Sequence, residues 1–161
     1  MNLVPTSECM VIRHTDRGAE LLLGLKKRGL GEGKLVAPGG HVEPGETDRQ
    51  ACAREVKEET GLAVDIDDLR PLGRVVFRFP SRPELDMYVA MFACERYAGE
   101  PAESDELTPA WYALDDLPFE RMWDDAKYWL PLVLGGQHVD VLITFADDCA
   151  TVATTDPDLV A

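Results

Sequence analysis

Residues 40–62 read GHVEPGETDRQACAREVKEETGL and contain the signals for both ends of a helix. Within this stretch, Thr47 is a natural N-cap, Gln50 completes a capping box, and Gly61 suits the C-terminal stop of a helix. The pattern therefore predicts an α-helix over residues 47–60.

Three glutamates of the predicted helix share one face. At about 100° per residue, Glu55, Glu58 and Glu59 point in the same general direction. Cys52 and Val56 occupy the adjoining sector, which would pack on a sheet. Like charges at helical spacing destabilise a helix by about 0.2–0.5 kcal/mol per pair. A bound divalent cation would offset this repulsion, whereas a merely solvated acidic face is the alternative interpretation of the spacing alone.

The helix belongs to a longer pattern, G-x5-E-x7-R-E-U-x-E-E-x-G-U, in which U is aliphatic. Its positions are filled by Gly40, Glu46, Arg54, Glu55, Val56, Glu58, Glu59, Gly61 and Leu62. Seven fixed positions at about 6% each give odds between about 10⁻⁹ and 10⁻⁸ per window from average composition. Arg54 adjoins Glu55 and precedes Glu58 by one helical turn, so it could orient one carboxylate while a cation binds the others. The solvated-face interpretation therefore fails for this segment.

This pattern is the Nudix box, and the chain resembles the Nudix hydrolases, which cleave a nucleoside diphosphate linked to another moiety. The resemblance implies an α/β fold, an α/β/α sandwich with a mixed β-sheet. It also implies Mg²⁺-assisted attack of water on phosphorus within a diphosphate bridge, with Mn²⁺ as a substitute for Mg²⁺. The implied metal ligands are Glu55, Glu58, Glu59, the carbonyl of Gly39, and Glu106 on a later loop. The implied catalytic residues are Arg54, Glu58 and Glu59, and the last two are both candidates for the general base.

A second resemblance lies outside the box. The segments LLLGLKKRG at residues 21–29, ESDE at 103–106, MW at 122–123 and YW at 128–129 are similar to one branch of the family, the mammalian-type MutT homologues. That branch hydrolyses oxidised purine nucleoside triphosphates and so sanitises the nucleotide pool. The resemblance implies that the base is surrounded by Lys26, Leu30, Phe77, Phe79, Met87 and Trp123. A core tryptophan on an amphipathic helix is the alternative interpretation of Trp123.

Two departures from that branch concern recognition of the base. Val36 stands where the branch has an asparagine that hydrogen-bonds the base. Asp124, Asp125 and Ala126 stand where the branch has a proline and two aspartates, so one aspartate is kept and the second is lost. A lone Asp125 with a pKa near the usual value of about 3.9 cannot donate a hydrogen bond at neutral pH, unless Asp124 swings in to replace the lost group. We therefore expect Val36, Asp124 and Asp125 to line the base site, with relaxed selectivity for oxidised over normal purines.

The rest of the chain predicts further strands and one more helix. Apolar and β-branched runs indicate strands over residues 10–14, 20–26, 73–79, 85–97, 110–114 and 139–145, and helical periodicity indicates a helix over 123–134. Glycine and proline indicate a loop over residues 27–45. Its segment GLGEGK lacks the Ser/Thr of a phosphate-binding loop, so we expect a flexible loop over the site. We expect one domain, residues 1–146, and a loosely ordered acidic tail, residues 147–161.

Composition narrows the classes of function. The 161 residues carry a net charge of −14, with no apolar run long enough to span a membrane and no signal-peptide pattern. An acidic body repels duplex nucleic acid but is compatible with a small phosphorylated ligand that arrives with Mg²⁺. The 4 cysteines show no zinc-ligand spacing and indicate reduced thiols. We expect a cytoplasmic monomer, with a dimer as the alternative.

The function expected from these features is Mg²⁺-dependent cleavage of a (deoxy)nucleoside triphosphate to the monophosphate and pyrophosphate. The expected substrate is an oxidised purine nucleotide such as 8-oxo-dGTP. Two alternatives stay open, namely hydrolysis of a dinucleoside polyphosphate or nucleotide sugar, and a nucleotide-binding module without activity. A module of the second kind typically loses box glutamates, and this sequence has all of them.

Overall fold

In the computed structural model, which describes residues 2–157, the strands form one mixed sheet. The strands are β1 (Val4–Thr15), β2 (Gly18–Lys26), β3 (Leu35–Val36), β4 (Gly39–His41), β5 (Arg70–Arg78), β6 (Met87–Cys94), β7 (Leu107–Ala113), β8 (Val139–Phe145) and β9 (Val152–Asp156). The α-helices are α1 (Asp48–Thr60) and α2 (Ala126–Leu134). No helix within residues 2–157 is long and apolar enough to cross a membrane.

The pairing of the strands makes the sheet mixed. Along the sheet the order is β3-β2-β1-β6-β5-β8-β9, with β4 added to β1 and β7 added to β2. β1 runs parallel to β6, and β5 runs parallel to β8. The remaining pairs are antiparallel. The expected α/β fold with a mixed sheet is confirmed.

The two helices pack on opposite faces of this sheet, because successive side chains of a strand point to opposite faces. On β1, Met10 belongs to the core that includes Trp129 of α2. Its neighbour Cys9 belongs to a second core with Cys52 and Val56 of α1. The layers therefore form the expected α/β/α sandwich. The cysteines are unpaired, as expected.

Helix α1 has the ends that the sequence predicts. The Thr47 side chain accepts a hydrogen bond from the backbone N–H of Gln50, and the Gln50 side chain accepts one from the backbone N–H of Thr47. At the other end, Gly61 adopts the left-handed conformation with φ of 79°, which glycine reaches without steric cost. Both ends of α1 are thus fixed by local sequence.

Two predictions in the first forty-five residues need correction. Strand β1 begins at Val4, before the predicted start at Met10, because residues 4–11 pair in parallel with β6. The polar residues Thr6 and Glu8 hid this part of the strand from a search for apolar runs. The predicted loop over residues 27–45 also contains β3 and β4, which are short strands between glycine-rich turns.

Two predictions near the C-terminus also need correction. Helix α2 begins at Ala126 and not at residue 123, because residues 123–126 form a turn in which the Ala126 N–H donates to the Trp123 carbonyl. The expectation of a loosely ordered tail is wrong for β9, which pairs with β8 in antiparallel register. β-Branched Val and Thr residues favour this strand. Residues 158–161 of the expected tail lie outside the described residues.

Candidate active site

Three glutamates from two parts of the chain meet at one point. Glu55 and Glu59 project from α1, and Glu106 immediately precedes β7. One carboxylate oxygen from each lies within 4.8 Å of the others. Glu59 is 5% exposed, Glu55 is half-buried and Glu106 is exposed. Carboxylate oxygens at this separation form a donor set that suits a hard divalent cation such as Mg²⁺ or Mn²⁺.

Two glycines of β4 make room for this cluster. A Cβ atom on Gly40 would lie 2.5 Å from the carboxyl carbon of Glu55, so a side chain there would displace that carboxylate. A Cβ atom on Gly39 would collide with the backbone carbonyl of Ser7. The backbone N–H of Gly39 donates a hydrogen bond to Oε1 of Glu59 at 2.7 Å. The glycine pair therefore lets the sheet edge approach both helix carboxylates.

Burial destabilises the charged form of the clustered carboxylates. It raises the pKa of Glu59 to about 8, although the hydrogen bond from Gly39 acts in the opposite direction. Burial also raises the pKa of Glu55, against the effect of Arg54. The nearby carboxylates add to both shifts. A cation that binds here would neutralise charges that the protein itself leaves poorly compensated.

Arg54 holds the outer side of the cluster in place. Its Nε and Nη2 atoms bind the two carboxylate oxygens of Glu46 at 2.8 and 2.9 Å, and Nη2 also donates to the His41 carbonyl at 2.9 Å. Nη1 donates to Glu55 at 2.9 Å and to Glu58 at 3.1 Å. This network raises the pKa of Arg54, chiefly through Glu46, and Arg54 in turn lowers the pKa of Glu46. Arg54 thus orients Glu55 from outside the cluster.

The structure does not bring Glu58 into the three-carboxylate cluster. Its side chain is 57% exposed and its contact with the cluster runs through Arg54. Among the carboxylates predicted as metal ligands, Glu55, Glu59 and Glu106 therefore converge, whereas Glu58 stays beside them with a carboxylate open to solvent.

A cavity of about 240 Å³ adjoins the carboxylates. Gly39, Gly40 and Glu59 line one part of it, so the cluster and the cavity are continuous. The predicted base-site residues that line it are Lys26, Leu30, Val36, Phe77, Phe79, Met87, Trp123 and Asp125. Its walls are mostly apolar, with few polar groups, as is typical of pockets that bind small molecules.

Aromatic rings form one wall of the cavity. Phe79 stacks on Phe145 with ring centroids 4.8 Å apart, and Trp123 meets Phe145 edge-on at 5.8 Å. The Lys34 ammonium lies 5.1 Å from the Trp123 ring centroid. A Cβ atom on Gly31 would lie 2.7 Å from Nε1 of Trp123, so the glycine-rich loop packs closely on this ring. The loop therefore lies against the cavity, in the position expected from the sequence.

Asp125 lines the cavity, whereas Asp124 does not. Asp125 is 4% exposed, and its carboxylate accepts a hydrogen bond from Nε1 of Trp129 at 2.7 Å. Burial raises the pKa of Asp125 to about 6, so the expectation of an ordinary pKa is wrong. Asp124 turns away to accept from the backbone N–H of Val152 at 2.8 Å and to pair with Lys127 at 2.8 Å.

Glu8 is a member of the cavity wall that was not predicted from the sequence. It lies on β1, is half-buried and lines the cavity. Burial and the nearby Asp125 raise the pKa of Glu8 to about 8, and Lys26 acts in the opposite direction. The signal that could have found it is the alternation of Thr6, Glu8 and Met10, all three of which line the cavity.

The family of this chain follows from comparison with known proteins. The NUDIX domain matches residues 6–133, which is most of the chain. The chain therefore belongs to the Nudix family and is a Nudix hydrolase. A Nudix fold accounts for both the sandwich around the sheet and the position of α1 beside the glycine pair.

Curated relatives make the comparison more specific. The chain is 45% identical over 129 residues to the oxidized purine nucleoside triphosphate hydrolase of Danio rerio, covering 80% of this chain and 81% of the relative. It is 45% identical over 114 residues to the mouse (Mus musculus) protein of the same name, covering 71% of each. Among solved structures, a MutT protein from Bacillus halodurans matches with a TM-score of 0.79 and 22% identity, over 97% of this chain and 98% of that one. That last similarity concerns the fold alone.

Proposed function

We propose that this protein hydrolyses purine (deoxy)nucleoside triphosphates, including oxidised ones such as 8-oxo-dGTP, to the monophosphate and pyrophosphate, with Mg²⁺ as cofactor. One observation carries the proposal, namely that the carboxylate cluster opens directly into an apolar cavity. The cluster suits the metal-bound phosphates, and the cavity suits a flat heterocyclic base. The 45% identity to two oxidized purine nucleoside triphosphate hydrolases supports the same substrate class.

The metal site is assigned to the three converging glutamates. Glu55, Glu59 and Glu106 supply carboxylate oxygens, and the carbonyl of Gly39 would add a fourth oxygen donor beside Glu59. The fit of a cation rests on the space that Gly40 leaves beside Glu55 and on the oxygen-only donor set. When bound, Mg²⁺ neutralises phosphoryl oxygens and lowers the pKa of water.

The proton acceptor is assigned to Glu58, with Glu59 as the alternative. Water forms a new bond to phosphorus, the bridging bond between the α- and β-phosphates breaks, and the bridging oxygen leaves with one of the two products. The water must lose a proton, which requires a carboxylate that is not fully engaged by metal. Glu58 satisfies this condition because it lies next to the cluster without joining it. Arg54 positions both Glu55 and Glu58.

The base is assigned to the cavity. Phe79, Met87 and Trp123 offer apolar and aromatic surface for a purine ring, and Lys26 offers a cationic group at the same wall. Asp125 is the buried polar group that faces the base. The cavity and the cluster are built from one chain, so we propose that the monomer is the active unit.

A nucleotide panel tests the proposal. The pure protein is incubated with Mg²⁺ and with 8-oxo-dGTP, dGTP, dATP, a dinucleoside tetraphosphate and ADP-ribose, and the products are resolved by ion-exchange chromatography. We expect turnover of the purine triphosphates at the highest kcat/KM, with pyrophosphate as co-product and no turnover in EDTA. Preferred turnover of the dinucleoside polyphosphate or of ADP-ribose would contradict the substrate assignment, and binding without any turnover would contradict the enzymatic one.

A further inference from the structure

Glu8 occupies an unusual position in the cavity wall. On β1, the side chains of Thr6, Glu8 and Met10 point into the cavity. Between them, Cys9 packs in the core on the opposite face of the sheet, and Ser7 is fully buried at the edge of the cavity. The placement of Glu8 is therefore fixed by strand register, and a shift of one residue would remove the carboxyl group from the cavity.

The Glu8 carboxyl group has no hydrogen-bond donor from the protein among residues 2–157. Its charged neighbours are Asp125, which repels it, and Lys26, which attracts it without a hydrogen bond. Glu8 is half-buried, and burial in the cavity disfavours its charged form, so a carboxyl group without a protein donor is poorly compensated there. In a binding cavity, the partner that completes such a group is the ligand.

Glu8 and Asp125 together give the cavity two carboxyl groups on different elements. Asp125 precedes α2 and is held by Trp129, whereas Glu8 lies on the sheet. Both side chains line the same cavity, and Asp125 is close enough to raise the pKa of Glu8. Two carboxyl groups present acceptor oxygens, which match a base edge that carries neighbouring N–H donors. The ring N–H and the exocyclic amine of guanine form such an edge.

We propose that Glu8 is a specificity-determining residue, which reads the N–H edge of a guanine-type base together with Asp125. This inference rests on the proposed function, because it assigns a base to the cavity. Hypoxanthine, which lacks the exocyclic amine, leaves one of the two carboxyl groups without a donor. A site that hydrogen-bonds its substrate rejects an analogue that lacks the group, because the buried partner is left unsatisfied.

The test compares dGTP with dITP for the wild-type protein, Glu8→Leu and Glu8→Gln. We expect the wild type to favour dGTP over dITP by about tenfold or more in kcat/KM. Glu8→Leu should bring the ratio to within about threefold, mainly through a higher KM for dGTP with little change in kcat. Glu8→Gln keeps an acceptor oxygen and should retain most of the preference. Glu20→Leu, which removes a glutamate that pairs with Arg13 outside the cavity, is the matched control and should leave the ratio unchanged.

A binding measurement accompanies the kinetics and does not depend on turnover. Calorimetric titration with dGMP and dIMP should show a preference for dGMP that Glu8→Leu abolishes. An unchanged dGTP:dITP ratio in a folded Glu8→Leu protein would overturn the inference. So would an equal loss for both bases. If Glu8→Leu fails to fold, the inference is tested by two other results: the dGTP:dITP ratio of kcat/KM in Glu8→Gln, and the preference of the wild type for dGMP over dIMP. A wild type with no such preference overturns the inference. A wild type that turns over no nucleotide would instead contradict the proposed function.

Discussion

Gly40 and Glu55 are packed so closely that any side chain at position 40 would displace the carboxylate. A Cβ atom added to Gly40 would lie only 2.5 Å from the carboxyl carbon of Glu55. Glu55 also accepts a hydrogen bond from Arg54 at 2.9 Å, so a displaced carboxylate would strain that contact. The geometry explains why the first position of the box is a glycine.

Gly40→Ala should therefore weaken the metal site. We expect the displaced Glu55 to lower Mg²⁺ affinity by about tenfold or more and to reduce kcat/KM by a similar factor. Calorimetric Mg²⁺ titration and steady-state kinetics measure both effects. A Gly40→Ala protein with wild-type Mg²⁺ affinity would contradict the expected displacement of Glu55.

Glu59→Gln and Glu58→Gln should separate metal binding from proton transfer. Glu59→Gln removes a clustered oxygen charge, so we expect loss of Mg²⁺ binding and a fall in kcat of about 10² or more. Glu58→Gln leaves the three-carboxylate cluster intact, so Mg²⁺ affinity should be retained while kcat falls by about tenfold or more. Near-normal turnover of Glu59→Gln would remove Glu59 from the mechanism. Loss of Mg²⁺ binding in Glu58→Gln would make Glu58 a ligand and leave the base to another group.

Asp125→Asn should reduce the pH dependence of stability. The folded pKa of Asp125, about 6, lies above its unfolded value of 3.8, so the native state holds the proton more tightly. The contribution of Asp125 to the free energy of unfolding is therefore fully present below about pH 4. It is lost as the pH rises from about 4 to about 6. The full effect is on the order of 3 kcal/mol.

Urea unfolding in EDTA at pH 4.5 and pH 7 measures this effect. Asn keeps an oxygen that can accept the Trp129 hydrogen bond but does not ionise. The loss of stability between the two pH values should be smaller for Asp125→Asn than for the wild type. An identical loss in both proteins would show that Asp125 ionises normally.

Asp124 should act by positioning the cavity wall and not by binding the base. Its carboxylate joins the turn before α2 to Val152 of β9, and this turn carries Trp123 and Asp125. Asp124→Ala should raise KM for the purine triphosphate by about threefold to tenfold and lower Tm, with kcat little changed. Asp124→Asn, which keeps an acceptor oxygen, should restore most of both values. Equal KM values for Asp124→Ala and the wild type would contradict this role.

Helix α1 could be predicted from the sequence because the interactions that determine it are local. Thr47, Gln50 and Gly61 set the ends of α1, and the period of the helix places Glu55 and Glu59 together. These interactions span four residues or fewer and need no knowledge of the rest of the fold.

The proposed base site was less predictable because its polar groups depend on contacts that are distant in sequence. Glu8 enters the cavity through pairing of β1 with β6 and β4, and its polar neighbours hid the strand. Asp124 and Asp125 point in different directions because Trp129 holds one and Val152 of β9 holds the other. Neither hydrogen bond can be predicted from the sequence around Trp123. The strand β9 itself was expected to be a loose segment.

Product analysis with 8-oxo-dGTP distinguishes release of pyrophosphate from removal of the terminal phosphate. The protein is incubated with 8-oxo-dGTP and Mg²⁺, and nucleoside monophosphate, nucleoside diphosphate, pyrophosphate and inorganic phosphate are quantified together. A three-carboxylate metal site continuous with a cavity that holds the base, as proposed, predicts equal amounts of 8-oxo-dGMP and pyrophosphate, with turnover abolished by EDTA and reduced about 10² or more in Glu59→Gln. Release of inorganic phosphate with 8-oxo-dGDP, or no Mg²⁺-dependent turnover of 8-oxo-dGTP at all, would contradict it.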